Sequence, residues 1–131
     1  MITIKKEIAE RLYKHAEEGL PEEVCGYLAG KDAEVFVHYE LENTDHSPEH
    51  FSMDPKEQLR AVKDAREKGY EIISCYHSHP ETPARPSEED IRLAYDSNMV
   101  YLIVSLAEAR KEMKAYKIKE KTVTEIEIII K

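Results

Sequence analysis

The sequence predicts an α+β domain in which a mixed, largely antiparallel sheet is flanked by three helices. Two observations carry this: six stretches have the length and pattern of strands, and three have helical periodicity with start and stop signals. At 131 residues the chain forms one domain by the usual length prior, spanning 1–131, and can bury a sizeable core without disulfide or metal staples.

Taken in order, Ile4, Ile8, Leu12, Ala16 and Leu20 recur every fourth position, so the first segment reads as an amphipathic helix that stops at Gly19 and Pro21. "VCGYLAG" (Val24 to Gly30) is short, apolar and bounded by glycine, and "EVFVHYEL" (Glu34 to Leu41) alternates; Gly30-Lys31-Asp32 supplies a hairpin turn between them. Residues Glu42 to Asp54 have loop chemistry. Pro55 suits the first turn of a second helix, whose apolar positions include Leu59, Val62 and Ala65 and which stops at Gly69. "YEIISCYHS" (Tyr70 to Ser78) is β-branched and aromatic, which places His77 near the C-terminal end of a strand. A proline-rich loop follows. Ser87 then caps a third helix from Glu88 to Asp96, with Asp90 at the capping-box position. "MVYLIVSL" (Met99 to Leu106) is nearly all apolar and therefore central. "KEMKAYKIK" and "TVTEIEIII" alternate around a turn at Glu120-Lys121.

Composition narrows the function classes. The net charge of −8, with basic residues scattered among acidic ones, disfavours a nucleic-acid partner. The first residues lack the apolar segment of a signal peptide, and no apolar run approaches the ~18 residues of a membrane span. A cytoplasmic location with no membrane partner is the expectation. Cys25 and Cys75 form no C-x-x-C pair and no secreted-type framework, so both are expected as free thiols packed as small hydrophobes.

The stretch "YHSHPETPARPSEED" (Tyr76 to Asp90) carries the chemistry. Residues i and i+2 of a strand face one way, so His77 and His79 present two imidazoles to one cation. Catalytic zinc takes three protein ligands and keeps a fourth position open. Asp90 stands eleven residues after His79, where a loop stiffened by Pro80, Pro83 and Pro86 can return its carboxylate. Each part has an ordinary explanation: exposed rings on a strand, and a helix cap. Five specified identities at set spacing nevertheless arise by chance in such a chain with expectation on the order of 10⁻⁴ or less, at ~5% per residue type. The cap and ligand readings are also compatible with each other. His15, His38, His46 and His50 have no partner at a ligand spacing and read as solvated or structural. A proton acceptor is still required, and Glu22 and Glu23, at the entrance to "VCGYLAG", are the candidates that spacing leaves open.

"EVCGYLAG", "HSHP" and "SEED" together resemble the JAMM (MPN+) zinc metallopeptidases, whose pattern is a glutamate, His-x-His-Pro, and a serine three residues before an aspartate. The resemblance covers nearly the whole chain and implies a JAMM/MPN-like, cytidine-deaminase-like fold. Its register selects Glu23 over Glu22 as the catalytic acid–base and implies Zn²⁺ held by His77, His79 and Asp90. It also implies a catalytic Ser87 that hydrogen-bonds the substrate carbonyl or its oxyanion, a contribution worth ~3–4 kcal/mol per donor in other hydrolases. "PEEVCGYLAG", "ENTDHSPEHFSMDPKEQL" and "AYKIKEKTVTEIEI" are similar to the bacterial branch that includes the Mec-type peptidases, which release cysteine from the ubiquitin-like sulfur carrier CysO. The loop "HSHPETP" departs toward the general family form, which leaves the substrate open.

The resemblance thus implies a peptidase that cuts after the C-terminal Gly-Gly of a small ubiquitin-like sulfur-carrier protein. An extended tail could add as a strand along an exposed sheet edge, with the loop Asn43 to Met53 beside the groove. Two other classes compete: a non-catalytic MPN-type scaffold, against which the intact five-residue pattern argues, and a metallohydrolase of small peptides or amides. A homodimer is compatible with the sequence.

Overall fold

The computed structural model describes residues 1–107 and 111–131. Its elements are β1 (Ile2–Ile4), α1 (Lys6–Gly19), β2 (Cys25–Lys31), β3 (Glu34–Leu41), α2 (Pro55–Glu67), β4 (Glu71–His79), α3 (Glu88–Arg92), β5 (Val100–Ser105), β6 (Glu112–Lys119), β7 (Thr122–Ile126) and β8 (Ile128–Ile130). They form one eight-stranded sheet in the order β7-β6-β5-β4-β2-β3-β1-β8. Four pairings are antiparallel (β2–β3, β2–β4, β5–β6, β6–β7) and three are parallel (β1–β3, β1–β8, β4–β5), so the sheet is mixed as expected.

The first and last positions of that order belong to successive stretches of chain, since only Glu127 separates β7 from β8. The sheet therefore bends round until its ends approach, and Ile2 N donates to Glu127 O at 2.9 Å across the junction. Bending creates a concave face, and α1 fills it. Ile8, Ala9, Leu12 and Ala16 of α1 are buried against Leu28, Tyr76, Leu102, Val104 and Ala115. Burying a side chain such as Leu12 or Ile8 contributes roughly 1.5–3 kcal/mol each.

Alternation sends the remaining strand residues to the other face. Tyr27, Cys75 and Tyr101 stand in one cross-strand row there, and Cys25, His77 and Ile103 in the next. Helix α2 lies on this side, with Ala61 and Ala65 buried. Gln58 of α2 donates to the Tyr27 hydroxyl at 2.7 Å, and the Tyr39 hydroxyl donates to Asp64 at 2.6 Å. The site face is thus partly roofed by α2 and otherwise open to loops.

Several expectations need correction. Ile4 belongs to β1 rather than to the first helix. Ile2 and Ile4 are buried in the core by β-alternation, and the strand is stabilised by parallel pairing with β8, a partner more than a hundred residues away. The hairpin turn falls at Asp32-Ala33, both left-handed (φ 53° and 62°), as in the primed two-residue turns that match strand twist. Gly30 instead lies in β2 at a register shift against β3, where a Cβ would overlap the Glu34 carbonyl. Leu59 of α2 is exposed, and Ala61 takes the buried position. Helix α3 ends at Arg92 rather than Asp96, and the single C-terminal strand is two strands that pair with opposite ends of the sheet. The turn at Glu120-Lys121 is as expected, with φ 49° and 67°.

Gly26 tests how closely β2, β3 and β4 approach. A Cβ there would overlap the Tyr39 carbonyl and meet the Tyr76 ring. Gly26→Ala should cost about 1–3 kcal/mol through this overlap. Urea denaturation measures it, and an unchanged midpoint would contradict the packing described.

Candidate metal centre

Strand β4 ends in His77-Ser78-His79, and its alternation separates the three side chains by function. His77 and His79 point to the open face and are only 3% and 4% exposed. Ser78 points the other way. Its hydroxyl accepts from Val24 N at 2.8 Å and its amide donates to Val24 O at 3.0 Å, which ties the entrance of β2 to the end of β4. Glu23, one residue earlier, is thereby held beside the histidine pair.

The proline loop returns the chain as its stiffness predicts. His79 Nδ1 donates to the Pro83 carbonyl at 2.9 Å, Ser105 Oγ donates to Thr82 O at 2.7 Å, and the Tyr116 hydroxyl donates to Ala84 O. Ser87 then caps α3. Its hydroxyl accepts from Asp90 N at 3.0 Å, and its amide donates to Asp90 Oδ2 at 2.9 Å, a complete capping box. The same Oδ2 lies 3.2 Å from His77 Nε2 and 3.2 Å from His79 Nε2, and the two Nε2 atoms are 3.1 Å apart. The cap and the convergence hold together, so one short helix start serves both.

This donor set fits a metal ion. With Nδ1 of His79 donating to Pro83, Nε2 carries the lone pair. That lone pair, a second imidazole nitrogen and a carboxylate oxygen converge within 4.8 Å of one another, a donor set that could hold a metal ion. Asp90 suits the role of anion: burial opposes its charge, but without a metal the protonated forms of His77 and His79 and the bond from Ser87 N hold its carboxyl well below the usual range. Burial likewise pulls the His79 imidazolium down, and its bonds to Asp90 and Pro83 outweigh that and raise it.

Glu23 occupies a different environment. It is 5% exposed, and its Oε1 is a buried oxygen with no hydrogen-bond partner among the described residues. Burial pushes its carboxyl up from 4.5 to about 8, helped by Asp90, Glu89 and Glu49 and opposed by His79. Glu22 by contrast faces His46 at the surface, 3.2 Å away. Spacing leaves the two glutamates equivalent, and tertiary contacts separate them.

Phe51 is a site residue that spacing arguments missed. Its ring stacks on His77 with centroids 4.7 Å apart, so the loop between β3 and α2 forms a wall of the site. A cavity of about 320 Å³ opens between that wall and the chain after α3, lined by Phe51, Met53, Cys75, Leu93 and Tyr101 next to His77 and Asp90. Cys25 and Cys75 are free thiols, and burial pushes both up to about 12, so neither is a ready nucleophile. The other four histidines are dispersed: His15 against the Tyr76 hydroxyl, His38 beside Glu40, His46 beside Glu22 and His50 beside Asp45. Among the described residues, no helix is long and apolar enough to cross a membrane.

β4 is paired along its length by β2 and β5, up to His79 with Ser105. His77 is therefore paired on both sides, with Cys25 of β2 and Ile103 of β5.

Comparison with known proteins matches this architecture. The family described as prokaryotic homologs of the JAB domain (Prok-JAB) matches residues 5–119. The chain is 34% identical to the CysO-cysteine peptidase of Mycobacterium tuberculosis, across 95% of this chain and 88% of that protein. It is also 34% identical to the desampylase of Pyrococcus furiosus, across 82% of this chain and 76% of that one. A Desulfitobacterium hafniense protein solved in solution superimposes with a TM-score of 0.91 at 49% identity, covering 100% of this chain and 93% of the other.

The buried carboxyl of Glu23 makes stability depend on pH. A carboxyl that holds its proton more tightly folded than unfolded destabilises the fold as pH rises from its unfolded value, near 4.5, to about 8. In metal-free protein, Glu23→Gln should therefore gain stability relative to wild type between pH 5 and pH 8, with little difference at pH 4. Denaturant midpoints across that range measure this, and parallel curves for the two proteins would contradict it.

Proposed function

The chain belongs to the prokaryotic JAB-domain family of JAMM/MPN type, and from that premise we propose that it is a zinc metallopeptidase acting after the C-terminal Gly-Gly of a ubiquitin-like sulfur-carrier protein. The carrying observation is the convergence of His77 Nε2, His79 Nε2 and Asp90 Oδ2 beside a buried, unpartnered Glu23 carboxylate. The two named relatives, a CysO-cysteine peptidase and a desampylase, support a carrier conjugate as substrate.

His77, His79 and Asp90 are the zinc ligands in this reading. Zinc supplies a Lewis acid that polarises a carbonyl and lowers the pKa of water toward ~7. Glu23 takes the proton from the attacking water and hands it to the departing amine. Such a base must bind a proton firmly enough to accept it and loosely enough to return it, and burial raises the proton affinity of Glu23 in that direction. Ser87 Oγ uses a lone pair on Asp90 N, and its own O–H has no partner among the described residues, so it is available to donate to the substrate carbonyl oxygen. Phe51 shields the His77 ring from water. The apolar cavity beside His77 accepts the carrier tail, whose glycines let its main chain approach between the two loops.

Metal analysis and kinetics test the roles. Wild type and Glu23→Gln should each hold one zinc per chain, whereas the His77→Ala/His79→Ala double variant should hold none. Glu23→Gln should lose ~10²–10⁴-fold in kcat, since the amide cannot accept the proton, and Glu22→Gln should stay near wild type. The reverse ranking would assign the acid one residue earlier.

Mass spectrometry on carrier adducts tests the substrate. Proteins ending in Gly-Gly joined to cysteine, to another amino acid or to a lysine side chain should be cut after the final glycine. Changing that glycine to valine should slow cleavage far more than changing the residue after the cut. Equal tolerance at both positions, or cleavage of short peptides alone, would favour a small-molecule hydrolase.

A further inference from the structure

Glu23 lies just outside β2, which begins at Cys25, and among the described residues nothing bonds its Oε1. Its carboxylate must therefore be placed by its main chain. On one side the β4 terminus does this, through the Ser78 bonds to Val24. On the other side the contacts come from the loop after β3. Glu23 N donates to Ser47 O at 2.9 Å, and Glu23 O accepts from Asn43 Nδ2 at 2.9 Å.

Asn43 is 6% exposed, although it stands in a polar loop. Its amide is used on every side. Nδ2 also donates to His50 O at 3.1 Å and lies 3.4 Å from Ser47 O. Oδ1 accepts from Asp45 N at 3.0 Å and Ser52 N at 3.3 Å. Two donors and two lone pairs are thus satisfied, which among uncharged side chains of this size only a carboxamide can provide. The loop that Asn43 closes carries Phe51 onto His77. One side chain therefore joins the Glu23 main chain to the opposite wall of the site.

We propose that Asn43 is a positioning residue of the hydrolytic site, holding the Glu23 main chain so that its carboxylate faces the metal ligands while the same amide folds the Phe51 loop over His77. The proposal rests on the reading of Glu23 as the acid–base group. It predicts that the donor half of the amide matters to Glu23 and the acceptor half to the loop turn. Two variants test this: both lose the donor half, and only Asn43→Asp keeps both acceptor bonds. In Asn43→Ser the hydroxyl can still accept from Asp45 N but is too short to reach Glu23 O. In Asn43→Asp both acceptor bonds persist and both donors are lost.

Two measurements read the outcome without a substrate. Hydrogen exchange on metal-free protein should show the Glu23 amide exchanging about tenfold faster or more in both variants, with the β4 amides of Tyr76 and His77 unchanged. With one equivalent of Co²⁺ as the probe, the visible absorption responds to groups that hydrogen-bond around the ion. Both Asn43 variants should bind it stoichiometrically and shift toward the spectrum of Glu23→Gln. Wild-type spectra and exchange in both would overturn the proposal, and so would a wild-type Asn43→Asp beside an altered Asn43→Ser, which would confine Asn43 to the loop turn. If the buried charge of the Asp variant prevents folding, the Ser variant decides. If Glu23→Gln itself leaves the cobalt spectrum unchanged, the acid–base reading falls and the proposal with it. A shifted Glu23→Gln with unshifted Asn43 variants removes the proposal alone.

Discussion

The antiparallel pairing of β2 on β4, with Cys25 opposite His77, is the constraint on which the rest of the site depends. It sends Tyr76 and Ser78 toward α1 and His77 and His79 toward the loops, and it brings the residues just before β2 alongside the last residues of β4. A slip of one position would exchange the two faces, burying imidazoles against Leu12 and Ala16 and exposing Tyr76. The register is held by the apolar demand of the concave face, where Leu28, Tyr76 and Leu102 are fully buried, and by the glycine at position 26, which lets the strands close over Tyr76. Core packing thereby aims the polar residues, although none of them contributes to it.

The polar residues form a deliberately incomplete arrangement. Elsewhere in the described residues the buried side-chain oxygens and nitrogens find partners, as Asn43, Ser74, Ser78 and Ser105 do. At the end of β4 two imidazole nitrogens and a carboxylate oxygen converge, and a second carboxylate oxygen nearby has no hydrogen-bond partner among the described residues. A buried carboxylate without a partner costs stability, and its raised proton affinity expresses that cost as pH sensitivity. Such groups persist where chemistry uses them. The surrounding fastenings point the same way: Pro83 holds His79, Ser87 holds Asp90, and both bonds restrict rotation of these side chains.

The loops on either side of the triad have different means of rigidity. The loop after β4 combines three prolines with bonds from Ser105 and Tyr116 on neighbouring strands, so its return path is set by the sheet. The loop after β3 is fastened by Asn43, by Thr44 donating to Ser52 O, and by Asp45, which accepts from Ser52 and pairs with His50 nearer the surface. Between them lies the apolar cavity, with Phe51 and Met53 on one side and Leu93 on the other.

Much of this was legible in the sequence. The His-x-His alternation placed both imidazoles on one face because strand geometry has a period of two, and the Ser-x-x-Asp spacing placed a carboxylate in the first helical turn because capping is local. Helix α1, the paired strands and the left-handed turn at Glu120-Lys121 follow from equally short-range rules. What required the tertiary structure was every relation between distant residues. Ile2 to Ile4 became a strand because β3 and β8 arrive on either side of it. Glu23 differs from Glu22 only because one side chain turns under the loop and the other meets His46 at the surface. Phe51 and Asn43 join the site through contacts of 26 and 20 residues' separation that no local periodicity encodes. Local rules act through backbone geometry over one or two turns, whereas these contacts are decided by which strand packs against which, and that is a property of the whole buried surface.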